Sequence, residues 1–172
     1  MEQPNDFKAL AQRIARLEAI QAIKDLKLRY LSACDKKQPD VMRDCFADGE
    51  VLLDYGPVGC FKHRDELIDL YTKAACNDHV LDLHLGGNPQ IELIDENFAR
   101  GSWGLLFFQL DTSAKRVMQM GGYYADEYRR IDGEWKITRC VFTPHATELM
   151  GMEEGLHRIQ FAGKSLAELK WD

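Results

Sequence analysis

Apolar residues at helical spacing predict one long helix near the start of the chain. Between residues 7 and 34 they recur every three or four positions, so they form one side of a helix that must pack on something. The polar segment that begins at Asp35 ends this helix. Two shorter helices are predicted, from about Pro39 to Phe46 and from Arg64 to Ala75. The stripe of the long helix consists of Leu10, Ile14, Leu17, Ile20, Ile23, Leu26, Tyr30 and Cys34.

From Val80 onward the pattern becomes that of strands. Turn signals at Glu96-Asn97 and Asp132-Gly133 join neighbouring strands. Residues 144–172 are predicted to form a C-terminal tail that can include a short helix. Helices followed by antiparallel strands indicate a single α+β domain over residues 1–172, with three N-terminal helices packed against a mostly antiparallel sheet. The predicted strands are 50–55, 80–86, 89–95, 98–111, 116–131 and 134–143.

Composition narrows the class of protein. A chain of 172 residues with 45% hydrophobic and 29% charged residues is typical of one soluble globular domain. The net charge of −6 argues against a nucleic-acid partner. The longest uncharged apolar run, around Trp103 to Leu110, is too short to span a membrane. Five scattered cysteines without C-x-x-C pairs favour reduced thiols, and so a cytoplasmic location.

One histidine and one aspartate carry the chemical hypothesis. Asp35 closes the long helix, and His84 lies in a short apolar strand just before Gly86-Gly87. If the sheet curls around the helix, its concave face leaves an apolar pocket in which these side chains and Tyr30 can meet. A histidine oriented by a carboxylate can remove a proton at neutral pH. We therefore predict that Asp35 and His84 lie within hydrogen-bond reach.

Each of these residues also has a purely structural interpretation. A histidine in an apolar strand is as often a hydrogen-bonded core residue as a base. Asp35 fits a turn, and Tyr30 fits the core. The chain shows no nucleotide-binding loop and no metal-ligand spacing, so neither cofactor nor metal is expected. The aromatic and methionine residues that serve either as core or as pocket wall include Trp103, Phe107, Met120, Tyr124 and Phe142.

Several stretches of the chain resemble a known superfamily. Through them, spanning about residues 17–143, the chain resembles the SnoaL-like branch of the NTF2-like superfamily, and within it the bile acid 7-alpha dehydratases. The last of these stretches also resembles hexachlorocyclohexane dehydrochlorinase. The resemblance implies a cone-shaped fold with a strongly curved sheet. The stretches are Ala22-Ile-Lys-Asp-Leu-Lys, Tyr30 to Asp35, His84-Leu-Gly-Gly-Asn-Pro-Gln-Ile, Trp103, and Gly121-Gly-Tyr-Tyr-Ala-Asp-Glu-Tyr-Arg-Arg-Ile-Asp-Gly-Glu-Trp135.

The resemblance also implies site residues and an assembly. It places Tyr30, Asp35 and His84 in the active site and implies a homotrimer, with a dimer as the second expectation. Two positions depart from the dehydratases. Phe107 stands where they have an aspartate, and about Pro144 stands where they have an arginine. The first difference argues against 7-alpha-dehydration of a bile acid. Arg139 instead matches an arginine of the dehydrochlorinase.

Three functions follow as hypotheses. The first is a cofactor-independent lyase of the dehydratase kind that acts on a hydrophobic polycyclic or aromatic substrate. The second is a double-bond isomerase that uses the same base. The third is a non-catalytic protein that binds a hydrophobic ligand or serves assembly. We expect Trp103, Phe107, Met120, Tyr124, Arg139 and Phe142 to contact the substrate.

Overall fold

The computed structural model describes residues 4–152, which form helices on one side of a six-stranded sheet. Helix α3 begins and ends where the sequence pattern predicts. The elements in chain order are α1 (Pro4–Asp35), α2 (Pro39–Cys45), β1 (Glu50–Asp54), a 3-10 turn (Gly56–Val58), β2 (Cys60–His63), α3 (Arg64–Ala75), β3 (Val80–Leu93), β4 (Phe98–Asp111), β5 (Arg116–Ile131) and β6 (Glu134–Gly151).

The sheet is open and mixed. Its strand order is β2-β1-β6-β5-β4-β3, and all neighbours are antiparallel except β1 and β6, which run parallel. The turn between β5 and β6 forms at Asp132 and Gly133, both with positive φ, as the sequence predicts. None of the helices within residues 4–152 has the length and apolar character needed to cross a membrane. The fold is therefore α+β, and the sheet is mostly antiparallel.

Three features differ from the prediction. The four-residue strand β2 was not predicted, so a hairpin of β1 and β2 separates α3 from the first two helices. The two strands predicted over 80–86 and 89–95 are one strand, with an irregularity between Gly87 and Gln90. The tail predicted from residue 144 does not begin there, because residues 144–151 continue β6. The rest of that tail lies outside the described residues.

The continuation of β6 past a proline has a physical reason. Pro144 pairs with Gly122 of β5 at a register shift, after which Ala146 pairs with Gly121. A proline cannot donate a ladder hydrogen bond, but an irregularity in pairing tolerates that loss. The first part of β5, from Arg116 to Gly121, thereby gains a second partner strand besides β4. Pro144, which predicted the end of a strand from the sequence, is therefore the site of a bulge within β6.

Only the second half of α1 is part of the core. Ile23, Leu26, Tyr30 and Cys34 are buried, as the apolar stripe predicts. The stripe residues nearer the N-terminus are exposed in the described part of the chain, so the prediction that the whole stripe is buried is wrong for the first half of the helix. They are Leu10, Ile14 and Leu17.

Candidate active site

A cavity of about 410 Å³ lies between the helices and the inner face of the sheet. Most of its wall is apolar, with side chains from α3, β4, β5 and β6. Polar groups enter it from Tyr30, Tyr55, Asp82, His84 and Gln109. An apolar cavity with a few convergent polar groups is the usual form of a small-molecule site. The apolar lining includes Leu67, Leu105, Phe107, Met118, Met120, Tyr124 and Phe142.

His84 and Asp35 contact each other beside this cavity, as predicted from the sequence. The His84 Nδ1 atom lies 2.6 Å from Asp35 Oδ1. The backbone N–H of His84 also donates to both carboxylate oxygens, at 3.0 and 3.1 Å. In the neutral tautomer that donates from Nδ1 to the Asp35 carboxylate, Nε2 is left with a lone pair. The two side chains are 16% and 18% exposed, and the Phe107 ring packs 4.5 Å from the imidazole. This arrangement can orient the imidazole for proton transfer.

Two tyrosine hydroxyls form a second polar group at the cavity wall. The hydroxyls of Tyr30 and Tyr55 are 2.8 Å apart, and Tyr55 donates to Cys140 Sγ at 3.5 Å. Burial raises the pKa of both tyrosines well above the ordinary value of 10.0. Both groups therefore stay protonated at neutral pH. Because the Tyr55 hydrogen is directed at Cys140, Tyr30 is the donor in the contact between the two hydroxyls, and it can donate to a ligand only by turning its hydrogen away from Tyr55. Tyr55 was not singled out from the sequence, where it only ends an apolar strand.

A buried ion pair supports the wall behind these tyrosines. The Lys27 ammonium lies 2.8 Å from Asp126 Oδ2 and 3.5 Å from the centre of the Tyr124 ring, and both charged side chains are fully buried. Burial by itself lowers the pKa of Lys27, but Asp126 and Cys140 outweigh burial and raise that pKa overall. Lys27 is therefore a permanent positive charge below the cavity. Burial also raises the pKa of the Cys140 thiol, to about 12.

Two residues expected to contact the substrate do not line the cavity. Trp103 faces the core, where its Nε1–H donates to the Tyr128 hydroxyl at 3.0 Å. The Tyr128 hydroxyl in turn donates to Asp126. Trp103 therefore belongs to the buried network of Lys27. Arg139 alternates with the inward-facing Cys140, so its side chain lies on the other face of the sheet, where it donates to the Ala125 carbonyl. The other four expected contacts, Phe107, Met120, Tyr124 and Phe142, do line the cavity.

Sequence reasoning missed two further cavity residues, Asp82 and Gln109. Asp82 precedes His84 by two residues on the same strand, so strand alternation alone places both on one face. Gln109 is directly opposite Asp82 on β4. Within residues 4–152, no cluster of three histidine, cysteine, aspartate or glutamate side chains could hold a metal ion.

Comparison with protein families finds one that matches most of the chain. The model of a family described as "SnoaL-like domain" matches residues 15–141. Hexachlorocyclohexane dehydrochlorinase 1 of Sphingobium indicum is 26% identical over 136 residues, which cover 76% of this chain and 88% of the relative. Gamma-hexachlorocyclohexane dehydrochlorinase of the same species is 26% identical over 138 residues, 80% of this chain and 88% of the relative.

Solved structures share the fold at lower identity. A hexachlorocyclohexane dehydrochlorinase of type 2 superposes with a TM-score of 0.75 and 21% identity, covering 86% of this chain and 97% of its own. A proposed scytalone dehydratase from Novosphingobium aromaticivorans superposes with a TM-score of 0.73 and 18% identity, covering 92% of this chain and 99% of its own. These similarities identify the fold as NTF2-like.

Proposed function

Since the chain belongs to the SnoaL-like domain family, we propose that it is a cofactor-independent lyase acting on a hydrophobic, polycyclic or aromatic substrate. The observation that carries the proposal is the 2.6 Å contact of His84 Nδ1 with Asp35, at the edge of an open apolar cavity. The relatives support a lyase, because dehydrochlorinases and dehydratases both eliminate a small molecule across a carbon–carbon bond.

In the proposed mechanism, His84 Nε2 removes a proton from a carbon atom of the substrate. The electrons of that C–H bond form a double bond to the adjacent carbon, and the leaving group departs with the electrons of its own bond. Asp35 stabilises the imidazolium that forms and keeps the ring in the correct tautomer. When the substrate is bound, the Tyr30 hydroxyl turns its hydrogen from Tyr55 to the leaving hydroxyl or to a carbonyl. Phe107, Met120, Tyr124 and Phe142 contact the apolar part of the substrate.

Two other functions use the same site. A double-bond isomerase results if His84 returns the proton to another carbon instead of a leaving group departing. A non-catalytic ligand-binding or assembly protein is the remaining alternative. The cavity favours an enzyme, because the described side chains leave it open beside His84. Phe107 in place of an acid favours a substrate other than a bile acid.

The test is a screen of hydroxylated steroids and aromatic polyketides for loss of water, with hexachlorocyclohexane included for loss of chloride. We expect His84→Ala to reduce turnover by about 100-fold or more, since positioned acid–base groups contribute roughly that much. The matched control is His79→Ala, because His79 is an exposed histidine just before the same strand. Circular dichroism and thermal melting establish that both variants fold.

The outcomes separate the three functions. Turnover that survives in His84→Ala at the level of the His79→Ala control shows that His84 is structural. Deuterium from solvent in a product that has lost no leaving group favours the isomerase. Ligand binding without turnover, in both the parent protein and the control, favours the non-catalytic protein.

We also propose how the protein is assembled and where it acts. A homo-oligomer is expected, a trimer first and a dimer second, with a small hydrophobic substrate as its other partner. The net charge of −6 supports the absence of a nucleic-acid partner. All five cysteines are free, which supports a reducing compartment such as the cytoplasm.

A further inference from the structure

The cavity has a second polar position besides the histidine and the tyrosines. Asp82 of β3 and Gln109 of β4 are directly opposite each other, and both line the cavity. The next inward pair on these strands is His84 with Phe107. Two residues along a strand span about 7 Å, so the Asp82–Gln109 pair lies about that far from the His84–Phe107 pair.

The contacts of Asp82 fix how the amide of Gln109 is oriented. Asp82 accepts hydrogen bonds from the Lys37 ammonium and from Gln109 Nε2, the latter at 2.9 Å. The Asp82 side chain is only 3% exposed. Because a carboxylate paired with an ammonium group accepts and does not donate, Gln109 must turn its NH₂ group toward Asp82. Its carbonyl oxygen, Oε1, therefore points away from Asp82.

Gln109 has hydrogen-bonding capacity left over. Among the side-chain hydrogen bonds of residues 4–152, none involves Oε1 or a second bond from Nε2. Apart from Asp82, the neighbour of Gln109 across the sheet is the apolar Met118 on β5. The amide thus has one acceptor and one donor left for a ligand in the cavity. A hydroxyl group satisfies both, whereas a carboxylate or a chlorine atom cannot donate to Oε1.

We propose that Gln109, oriented by the Lys37–Asp82 pair, is a specificity-determining residue that binds a hydroxyl of a neutral substrate. The substrate is then a hydroxylated ring compound with a second oxygen away from the reacting carbon. This inference rests on the proposed function, since it takes the cavity to be the substrate site. A site built to hydrogen-bond a hydroxyl discriminates strongly against the analogue that lacks it.

Binding measurements test this inference without requiring turnover. The probes are a naphthalenediol with one hydroxyl on each ring and naphthol, which lacks the second hydroxyl; isothermal titration calorimetry gives both dissociation constants. We expect the parent protein to bind the diol about five- to tenfold more tightly, the value of one neutral hydrogen bond. In Gln109→Leu this preference should shrink to about twofold or less.

A matched control and a second variant make the result decisive. Gln119→Leu makes the same change on the neighbouring strand, at an exposed position that does not line the cavity, and should keep the full preference for the diol. If Gln109→Leu fails to fold, Gln109→Met, which is nearly the same size, carries the same comparison. An unchanged preference in the folded Gln109 variant overturns the inference, as does tighter binding of naphthalene carboxylate than of the diol.

The design separates this inference from the proposed lyase activity. A preference that depends on Gln109, in a protein without turnover, supports the binding position and contradicts the lyase. If turnover depends on His84 but the preference for the diol over naphthol is unchanged in the Gln109 variant, the lyase is supported and the binding position is contradicted.

Discussion

At the scale of single residues, Lys27 is the buried charge that the packing behind the candidate site depends on. Its ammonium is fully buried and contacts Asp126, Cys140 and the face of Tyr124. Removing each of the two charges from water costs several kcal/mol. The attraction between them, at good geometry, returns about the same amount. The pair therefore contributes little net stability when it is complete, but the loss of one partner leaves the other charge buried and uncompensated.

We expect Lys27→Met to lower the free energy of unfolding by about 3–5 kcal/mol, measured by urea unfolding. Adding Asp126→Asn should restore part of this loss, because it removes the uncompensated carboxylate. Lys8→Met, an exposed change on the same helix, is the control and should have almost no effect. A single Lys27→Met variant as stable as the control would show that Asp126 does not depend on the ammonium.

Residues differed in how well the sequence predicted them. Asp35 and His84 could be paired in advance, because a family resemblance singled out both. The unfavourable place of an acid at a helix C-terminus was a further signal for Asp35. Lys27 was overlooked, although its spacing from Ile23 and Tyr30 places it on the buried stripe. Its partner Asp126 lies on a distant strand, so the sequence alone could not bring the two together.

At the scale of elements, the end of α1 is attached to β3 by two polar contacts. Asp35 binds the ring and backbone of His84, and two residues later Lys37 binds Asp82. Gly86 allows the approach, because a Cβ atom at that position would lie 2.6 Å from the Leu31 Cδ1 atom. The packing of α1 against β3 therefore positions both the histidine and the second polar position.

Gly86→Ala should disturb this packing. We expect a loss of about 1–3 kcal/mol in the free energy of unfolding, the usual cost of overpacking a core, together with weaker turnover. Gly87→Ala is the matched control, since a Cβ atom there would have no neighbour within 4 Å. Urea unfolding of both variants gives the comparison. Equal stability of the two would mean that Leu31 moves aside without cost.

Helices and strands were predictable from the sequence where the periodic pattern of apolar positions was long and unbroken. Helix α3 and strands β4 and β5 have the bounds that the pattern indicates. Strand β2 was missed because four residues after Gly59 are too short to show a period. Strand β6 was cut short because Pro144 reads as a strand end, and only the pairing with β5 shows that the strand continues.

At the scale of the whole molecule, the outer face of the sheet carries apolar side chains. Leu85 and Leu106 are opposite each other on β3 and β4, and are 53% and 55% exposed; Tyr123 on β5 is 59% exposed. The sequence suggested Trp103, Leu105, Phe107, Val117 and Tyr123 as candidates for this face. Of these, Trp103, Leu105 and Phe107 are buried on the inner side, and Tyr123 is exposed. Contiguous exposed apolar surface of this kind usually marks an interface.

We expect this face to bind further copies of the chain, because the helices of residues 4–152 lie against the inner face. Sedimentation equilibrium at micromolar concentration should give about three times the chain mass of 19.7 kDa, or twice that mass for the dimer. Leu106→Glu places a charge in the centre of the face and should shift the protein toward the monomer. Ile94→Glu is the control, because Ile94 is equally apolar and exposed but lies in the turn after β3.

The competing explanation is that the apolar tail predicted from Leu149 to Phe161 folds over the face within its own subunit; the part of the tail from residue 153 onward lies outside the described residues. In that case the parent protein sediments as a monomer of 19.7 kDa, and removal of residues 153–172 should produce self-association. If neighbouring subunits cover the face instead, the truncated protein stays an oligomer and only Leu106→Glu dissociates it. A monomeric parent protein that stays monomeric after truncation would contradict both explanations and leave the outer face exposed to solvent.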